Sequence, residues 1–377
     1  MPDRARLRPE TLAVHAARGA DPSTGAVATP LHLSTTYERD VDGGFSRGFA
    51  YTREGNPTRT VFERALAALE GGEACLAFSS GMAAITALFQ AQGLGARLVV
   101  PDDMYFGNRQ LLFETPLGKS FDAVTVDMTD RAALEAACTG RPALVWIETP
   151  SNPLIKITNI ASVVAIAHSH GALTACDNTW PTPLGQRPLA LGCDYAVHSA
   201  TKYISGHHDA MSGAIVCARN DEGTALLRTI QAAQGAVPSP FDLWLALRGL
   251  QSLGARLAAH QAGARVVAAF LETAPAVTAV HYPGLKRHPG HTIAKHQMRG
   301  FGAMLSFEVA GQARAFEVAA RLQIFTRATS LGGTHSLIEH RASVEGPGSL
   351  APPGLLRLSI GLEHPEDLIA DLAQALA

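Results

Sequence analysis

The segment YAVHSATKYISGHHD at 195–209 places Ser199 at the end of an apolar run, followed by Thr201, Lys202 and Gly206. Lysine is scarce: Lys119, Lys156, Lys202, Lys286 and Lys295 are the only five among 31 basic residues. A lysine amine condenses with an aldehyde to an imine, which a guanidinium cannot do, and hydroxyls beside it can take phosphate oxygens. Asp177, in ACDNTW, stands just past another apolar run, where ligand sites of parallel sheets lie. A carboxylate there keeps a pyridine nitrogen protonated and makes the ring an electron sink, although a lone aspartate in a turn is also a common helix cap. Tyr105, in PDDMYFGNR, can cover a ring face by stacking. In CLAFSSGMAAITALF an apolar run turns through Ser80, Gly81 and Met82 into a helical pattern, whose free N–H groups and positive dipole end suit a phosphate. Aldehyde, ring nitrogen and phosphate are together the parts of pyridoxal 5'-phosphate.

Rival motifs fail on spacing. Gly118-Lys119-Ser120 resembles the end of a P-loop, but the first glycine of GxxxxGK[ST] would fall at Phe113. No GxGxxG occurs, which disfavours a dinucleotide-dependent oxidoreductase. Ser199-Ala-Thr-Lys202 matches SxxK, yet neither KTG nor SDN accompanies it. His207-His208-Asp209 and the group His288, His291 and His296 are expected in Gly-containing loops without i, i+4 geometry, and no metal site is expected. The net charge of −2 leaves no basic excess for nucleic acid. The uncharged stretch 74–96 is broken by Ser79, Ser80, Gly81, Gln90 and Gln92, so no membrane span is expected. Charges early in the chain disfavour a secretory signal, and the five cysteines, odd in number and without CxxC, fit buried thiols in a reducing cytoplasm.

Elements must bring these residues to one edge. Apolar runs at 74–78, 97–100, 123–126, 144–148, 173–176, 195–199 and 213–217 read as strands. Helical patterns between them, including 82–92, 130–138 and 159–169, make the fold α/β with a mostly parallel central sheet. A long helical pattern at 241–273 leads to FGAMLSFEV, LLRLSIGL and helices at 312–322 and 365–376, a smaller carboxy-terminal α+β domain. The expected division is an arm over 1–50, a cofactor domain over 51–245 and a carboxy-terminal domain over 246–377. EGPGSLAPPG at 345–354 reads as a surface loop.

Over nearly its whole length the sequence resembles the Cys/Met-metabolism pyridoxal-phosphate enzymes, the family of cystathionine γ-synthase, cystathionine γ- and β-lyases, methionine γ-lyase and homoserine-ester sulfhydrylases. The resemblance is carried by YTREGNPTR at 51–59, LEGGEACLAFSSGMAAI at 69–85, ETPSNPLIKITNI at 148–160, DNTWPTPLGQRPLALGCDYAVHSATKYISGHHDAMSG at 177–213, QMRGFGAMLSFE at 297–308, SLGGTHSLIEHRAS at 330–343 and LLRLSIGLE at 355–363. It implies the fold type I, aspartate-aminotransferase-like architecture. It also implies that Lys202 is the imine lysine, Asp177 the pyridinium partner and Tyr105 the stacking ring. Gly81 and Met82 would offer N–H groups to the phosphate, with Ser199 and Thr201 adding hydroxyls. Tyr51 and Arg53 match positions that reach a neighbouring subunit's phosphate, Tyr51 also bordering the substrate, which implies shared active sites and a homotetramer built as a dimer of dimers. Arg357 matches the arginine that grips the substrate carboxylate, with Asn152 and Ser330 lining the same region.

The chemistry so implied is proton removal from Cα of an amino acid, then loss or exchange of a substituent. Departure from Cβ, or from Cγ after a further proton shift, separates the family's activities. The overall pattern favours γ-elimination or γ-replacement on a sulfur-containing or homoserine-derived amino acid. The alternatives are cystathionine β-lyase, a γ-lyase acting on a non-sulfur substituent and, from a different class, a non-catalytic binding or regulatory member. Thr329 stands where cystathionine γ-type members usually carry Glu, His335-Ser336 replaces Glu-Ser, and YFGNR is one residue shorter than usual, which leaves the role of Arg109 open.

Overall fold

A computed structural model describes residues 7–16, 21, 23–346 and 349–377. The expected arm and the loop at 345–354 therefore lie partly outside the described residues. Five-residue apolar runs form β1 (Ala74–Phe78), β2 (Arg97–Pro101), β3 (Asp122–Val126), β4 (Leu144–Glu148), β5 (Leu173–Asp177), β6 (Tyr195–Ser199) and β7 (Gly213–Cys217). They make one seven-stranded sheet in the order β1-β7-β6-β5-β4-β2-β3. Only β7 runs against the rest, pairing antiparallel with both β1 and β6. The ends of β1, β2, β4, β5 and β6 consequently open on the same edge.

Both faces of this sheet are buried, and alternation within each strand divides the side chains between them. Cys75 and Ala77 join Phe62, Leu66 and Leu69 of the helix Pro57–Glu70 in one core, whereas Leu76 and Phe78 join Ile85, Leu88, Phe89 and Trp146 in another. Val145 and Ile147 pack on Val163 and Ile166 of the helix Ile160–Ser169. One buried polar link ties helix to sheet: Glu70 Oε1 meets His198 Nε2 at 2.7 Å and accepts from Asn178 Nδ2 at 2.6 Å.

The second sheet has the order β10-β11-β12-β9-β8, with β8 (Ala279–His281), β9 (Met304–Glu308), β10 (Thr326–Arg327), β11 (Leu337–His340) and β12 (Leu355–Ser359). Its register sets Ser306, Arg357 and Glu339 side by side across β9, β12 and β11. The two sheets are joined by a helix of 34 residues, Pro240–Thr273. We place the domain division at residue 245, inside the first turns of that helix.

Three local readings change. Pro9–Val14 is a helix with Pro at its start and Glu10 in its first turn, and it packs on the long helix with Ala13 fully buried. That window is too short to show a period in the sequence. His291–Gln297 is also helical, so His291 and His296 are not in a loop. Gly290 ends the preceding turn, and Ala294 and Met298 give the short helix an apolar side against Ile157. Third, Glu222–Gln234 is a helix that the sequence had not suggested, capped by Asp221 and closed by Gly235 in the left-handed conformation.

Candidate active site

A cavity of about 340 Å³ lies where the strand ends meet the second sheet. Lys202, Asp177, Tyr105, Gly81, Met82, Ser199, Thr201, Asn152, Ser330 and Arg357 all line it. Tyr51 and Arg53 do not. Tyr51 is 44% exposed, and Arg53 donates to the Ala232 carbonyl at 2.8 Å, outside their own chain's cavity.

Lys202 follows β6 in a turn that the long helix holds. Arg256 of that helix, buried, donates to the carbonyls of Tyr203 at 2.8 Å and Gly249 at 2.7 Å, and Gly249 lets the helix come close enough that a Cβ would stand 2.3 Å from the Ser205 carbonyl oxygen. The Lys202 ammonium donates to Ser330 Oγ at 2.7 Å. Burial, with Arg357 next in weight, pulls its pKa down to about 8. Ser330 itself has φ +89°, a left-handed conformation that costs a non-glycine residue energy and presents its hydroxyl to the lysine.

Asp177 ends β5. One of its oxygens accepts the Thr179 N–H at 2.9 Å, and the Thr179 side chain also acts on the carboxylate. Burial pushes its carboxyl upward, and a fixed positive partner would reverse that. Tyr105 is fixed through its backbone, which donates to the two oxygens of Glu148 at 3.0 and 2.9 Å. Glu148 is itself held well above the usual carboxylate range by burial and then by Asp177.

After β1, Ser80 caps the helix Gly81–Gln90, its Oγ accepting the Ala83 N–H at 3.1 Å. The N–H groups of Gly81 and Met82 are left without a partner among the described residues. A Cβ at Gly81 would stand 2.8 Å from Ser199 Cβ, so only glycine lets this helix end press against β6. Two free N–H groups at a helix N-terminus beside the Ser199 hydroxyl make an anion cradle. Thr201 is less free, since its hydroxyl donates to the Ser212 carbonyl at 3.1 Å.

From the second sheet, Arg357 is 4% exposed and donates to Asn152 Oδ1 at 2.9 Å, to the Ser330 carbonyl at 3.3 Å and to Glu339 Oε2 at 2.9 Å. Asn152 is carried there because Ser306 Oγ, next to Arg357 in the register, donates to the Pro153 carbonyl at 2.8 Å. Arg341 also lines the cavity and is paired with Glu339 and Glu345. Sequence reasoning had not singled out Arg341, Glu339, Glu148 or Arg256. Arg341 and Glu339 stood inside a quoted motif, but nothing in the spacing said that they would be buried. A second, more open cavity lined by His208, Asp209, Asp242 and His335 adjoins the first through Thr201, Met211, Thr329 and Ser330.

The donor set fits pyridoxal phosphate: a buried amine, a buried carboxylate, an anion cradle and an aromatic ring share one cavity of suitable size. Residues 10–377 match the sequence model of the family described as Cys/Met metabolism PLP-dependent enzymes. The chain belongs to that family. It is 44% identical over 375 residues to a cystathionine gamma-synthase of Mycobacterium tuberculosis (strain ATCC 25618 / H37Rv), covering 98% of this chain and 96% of that one. A cystathionine beta-lyase of Lactococcus lactis subsp. cremoris (strain MG1363) is 41% identical over 377 residues, covering 97% and 98%. The crystal structure of cystathionine gamma synthase from Xanthomonas oryzae pv. oryzae in complex with cystathionine superposes with a TM-score of 0.94 at 43% identity, covering 98% of each chain. The Cys/Met-metabolism enzyme described here thus depends on pyridoxal phosphate and has the fold type I architecture.

Proposed function

We propose that the enzyme catalyses elimination or replacement at Cγ of a sulfur-containing or homoserine-derived amino acid, the trans-sulfuration chemistry of cystathionine γ-synthases and γ-lyases. The observation that carries this reading is the buried Lys202 amine, bonded to Ser330 in the cavity that it shares with Asp177 and Arg357. Pyridoxal phosphate, when bound, supplies an aldehyde to hold the substrate amine and a ring that takes up the electrons of the breaking Cα–H bond.

Each residue then has a task of its own. The N–H groups of Gly81 and Met82, with the hydroxyls of Ser199 and Thr201, would hold the phosphate, and the Asp177 carboxylate would pair with the ring nitrogen. Tyr105 covers the ring. Arg357, oriented by Asn152, binds the substrate carboxylate, which fixes Cα within reach of Lys202. Lys202 Nζ, as the free amine that its lowered pKa makes accessible, would accept the Cα proton, return it to the cofactor-bound substrate and, neutral again, accept a Cβ proton, the step that lets a group leave from Cγ. Ser330 Oγ supports Nζ between transfers.

Tyr51 and Arg53 act on the site of a second copy, in a homotetramer made of two dimers. The exposure of Tyr51 and its distance from its own cavity support this reading. A cytoplasmic location fits five free, buried cysteines. Among the described residues no helix is long and apolar enough to cross a membrane.

The test is product identity. Purified enzyme is incubated with cystathionine, homocysteine, methionine and O-acylhomoserines, and the keto acid is identified. Formation of 2-oxobutyrate, or of a γ-replacement product with a thiol, supports the reading. Pyruvate from cystathionine makes the enzyme a β-lyase, the second reading, which the beta-lyase relative at 41% identity favours. No reaction with any of them refutes both.

A further inference from the structure

Behind the carboxylate-binding arginine runs an alternating row of charges: Arg357, Glu339, Arg341, Glu345. Glu339 is opposite Arg357 in the β11–β12 register, and a single oxygen, Oε2, takes Arg357 Nη2 at 2.9 Å and also Arg341 Nη1. Glu345 Oε1 takes Arg341 Nε at 3.1 Å and Nη2 at 2.9 Å. Side-chain exposures of 4, 10, 1 and 7% along the row keep the pairs out of water, where charge is little screened. Arg341 additionally lies over the Phe106 ring, 5.7 Å from its centre, which fixes the guanidinium beside Tyr105.

The row matters because Arg357 has one strong carboxylate partner already. Glu339, were it paired with Arg357 alone, would compete with the substrate carboxylate for the same N–H groups and cancel the positive potential that draws it. We propose that Arg341 is a positioning residue that sets how tightly Arg357 holds the substrate carboxylate, by sharing the Glu339 oxygen that Arg357 also bonds and so weakening its hold on Arg357. Glu345 in turn holds Arg341 in place, and the four charges of the row sum to zero with both arginines lining the cavity. Arg341 needs no contact with the substrate for this. The inference rests on the reading that Arg357 binds that carboxylate.

The experiment measures equilibrium dissociation constants of glycine and of glycinamide for the holoenzyme by titration calorimetry, neither ligand having a group to eliminate. The ratio of the two constants reports carboxylate recognition separately from fold and turnover. Arg341→Met is expected to lower the preference for glycine by about tenfold, Arg341→Lys by less than about threefold, and the double variant Arg341→Met/Glu339→Gln is expected to recover most of the preference. Glu339→Gln alone is expected to raise it, and that variant tests the idea if Arg341→Met does not fold. An unchanged ratio in Arg341→Met, a double variant worse than the single, or a weakened preference in Glu339→Gln overturns the proposal. Arg357→Leu separates the two levels: if it keeps the preference for glycine, the carboxylate reading itself is wrong, whereas if it loses the preference while Arg341→Met does not, only the role of Arg341 is.

Discussion

Gly81→Ala tests the phosphate cradle with a perturbation whose size the structure gives. The added methyl would stand 2.8 Å from Ser199 Cβ and 3.1 Å from Ser199 Cα and Oγ. Carbon atoms in contact keep about 3.5–4.0 Å, so roughly 0.7–1.2 Å must be made up. Ser199 cannot retreat, since its N–H donates to Thr179 Oγ1 at 2.8 Å and its strand is paired with β7. The helix end has to move instead, carrying the Gly81 and Met82 N–H groups with it. A hydrogen bond of about 2.9 Å stretched by that much passes the limit of about 3.5 Å and is lost. Losing one charge-assisted bond costs about 1.5–3 kcal/mol, or roughly 10- to 150-fold in cofactor affinity. The strain itself costs the apoprotein about 1–3 kcal/mol, offset by up to about 1 kcal/mol because alanine favours the helix. Titration of the apoprotein with pyridoxal phosphate, followed by visible absorbance, measures the first effect, and denaturant unfolding the second. A dissociation constant within about twofold of wild type would refute the cradle.

Four further outcomes are expected. With its pKa near 8, Lys202 is an unreactive ammonium below that pH and a free amine above it, so cofactor uptake by the apoprotein should rise through about pH 8 and then level off. In Arg357→Leu the midpoint should move up, because a positive neighbour is gone, and stopped-flow absorbance across pH checks both. Glu70→Ala should cost about 2–4 kcal/mol in denaturant unfolding, since the fully buried His198 and Asn178 lose a shared partner; a cost below about 0.5 kcal/mol would show the pair to be idle. Thr329→Glu, at the junction of the two cavities, should raise kcat/KM on cystathionine about tenfold relative to an O-acylhomoserine, because a carboxylate there can meet the distal ammonium; an unchanged ratio in steady-state assays argues against the distal group lying at that position.

What the sequence determined by itself is local. Apolar runs that stop at Asp177 and Ser199, and a run that turns through Ser80 and Gly81 into a helix, mark strand ends and a helix start within a few residues of chain, so the lysine, the aspartate and the cradle were legible there. So were the α/β class and the helical stretch after residue 240, because period and length are properties of neighbours. Tertiary structure decided everything that joins distant chain segments. Lys202 meets Ser330 across 128 residues, and Arg357 meets Asn152 across 205, contacts that exist only because the second sheet folds back over the strand ends of the first. The register of β11 on β12 made a partner of Glu339, and burial in the folded wall turned Arg341 from one arginine among 26 into part of a charge row. A short-range pattern can say that a residue stands at an edge. Which groups face it, and how little water screens them, depends on packing that no local period encodes.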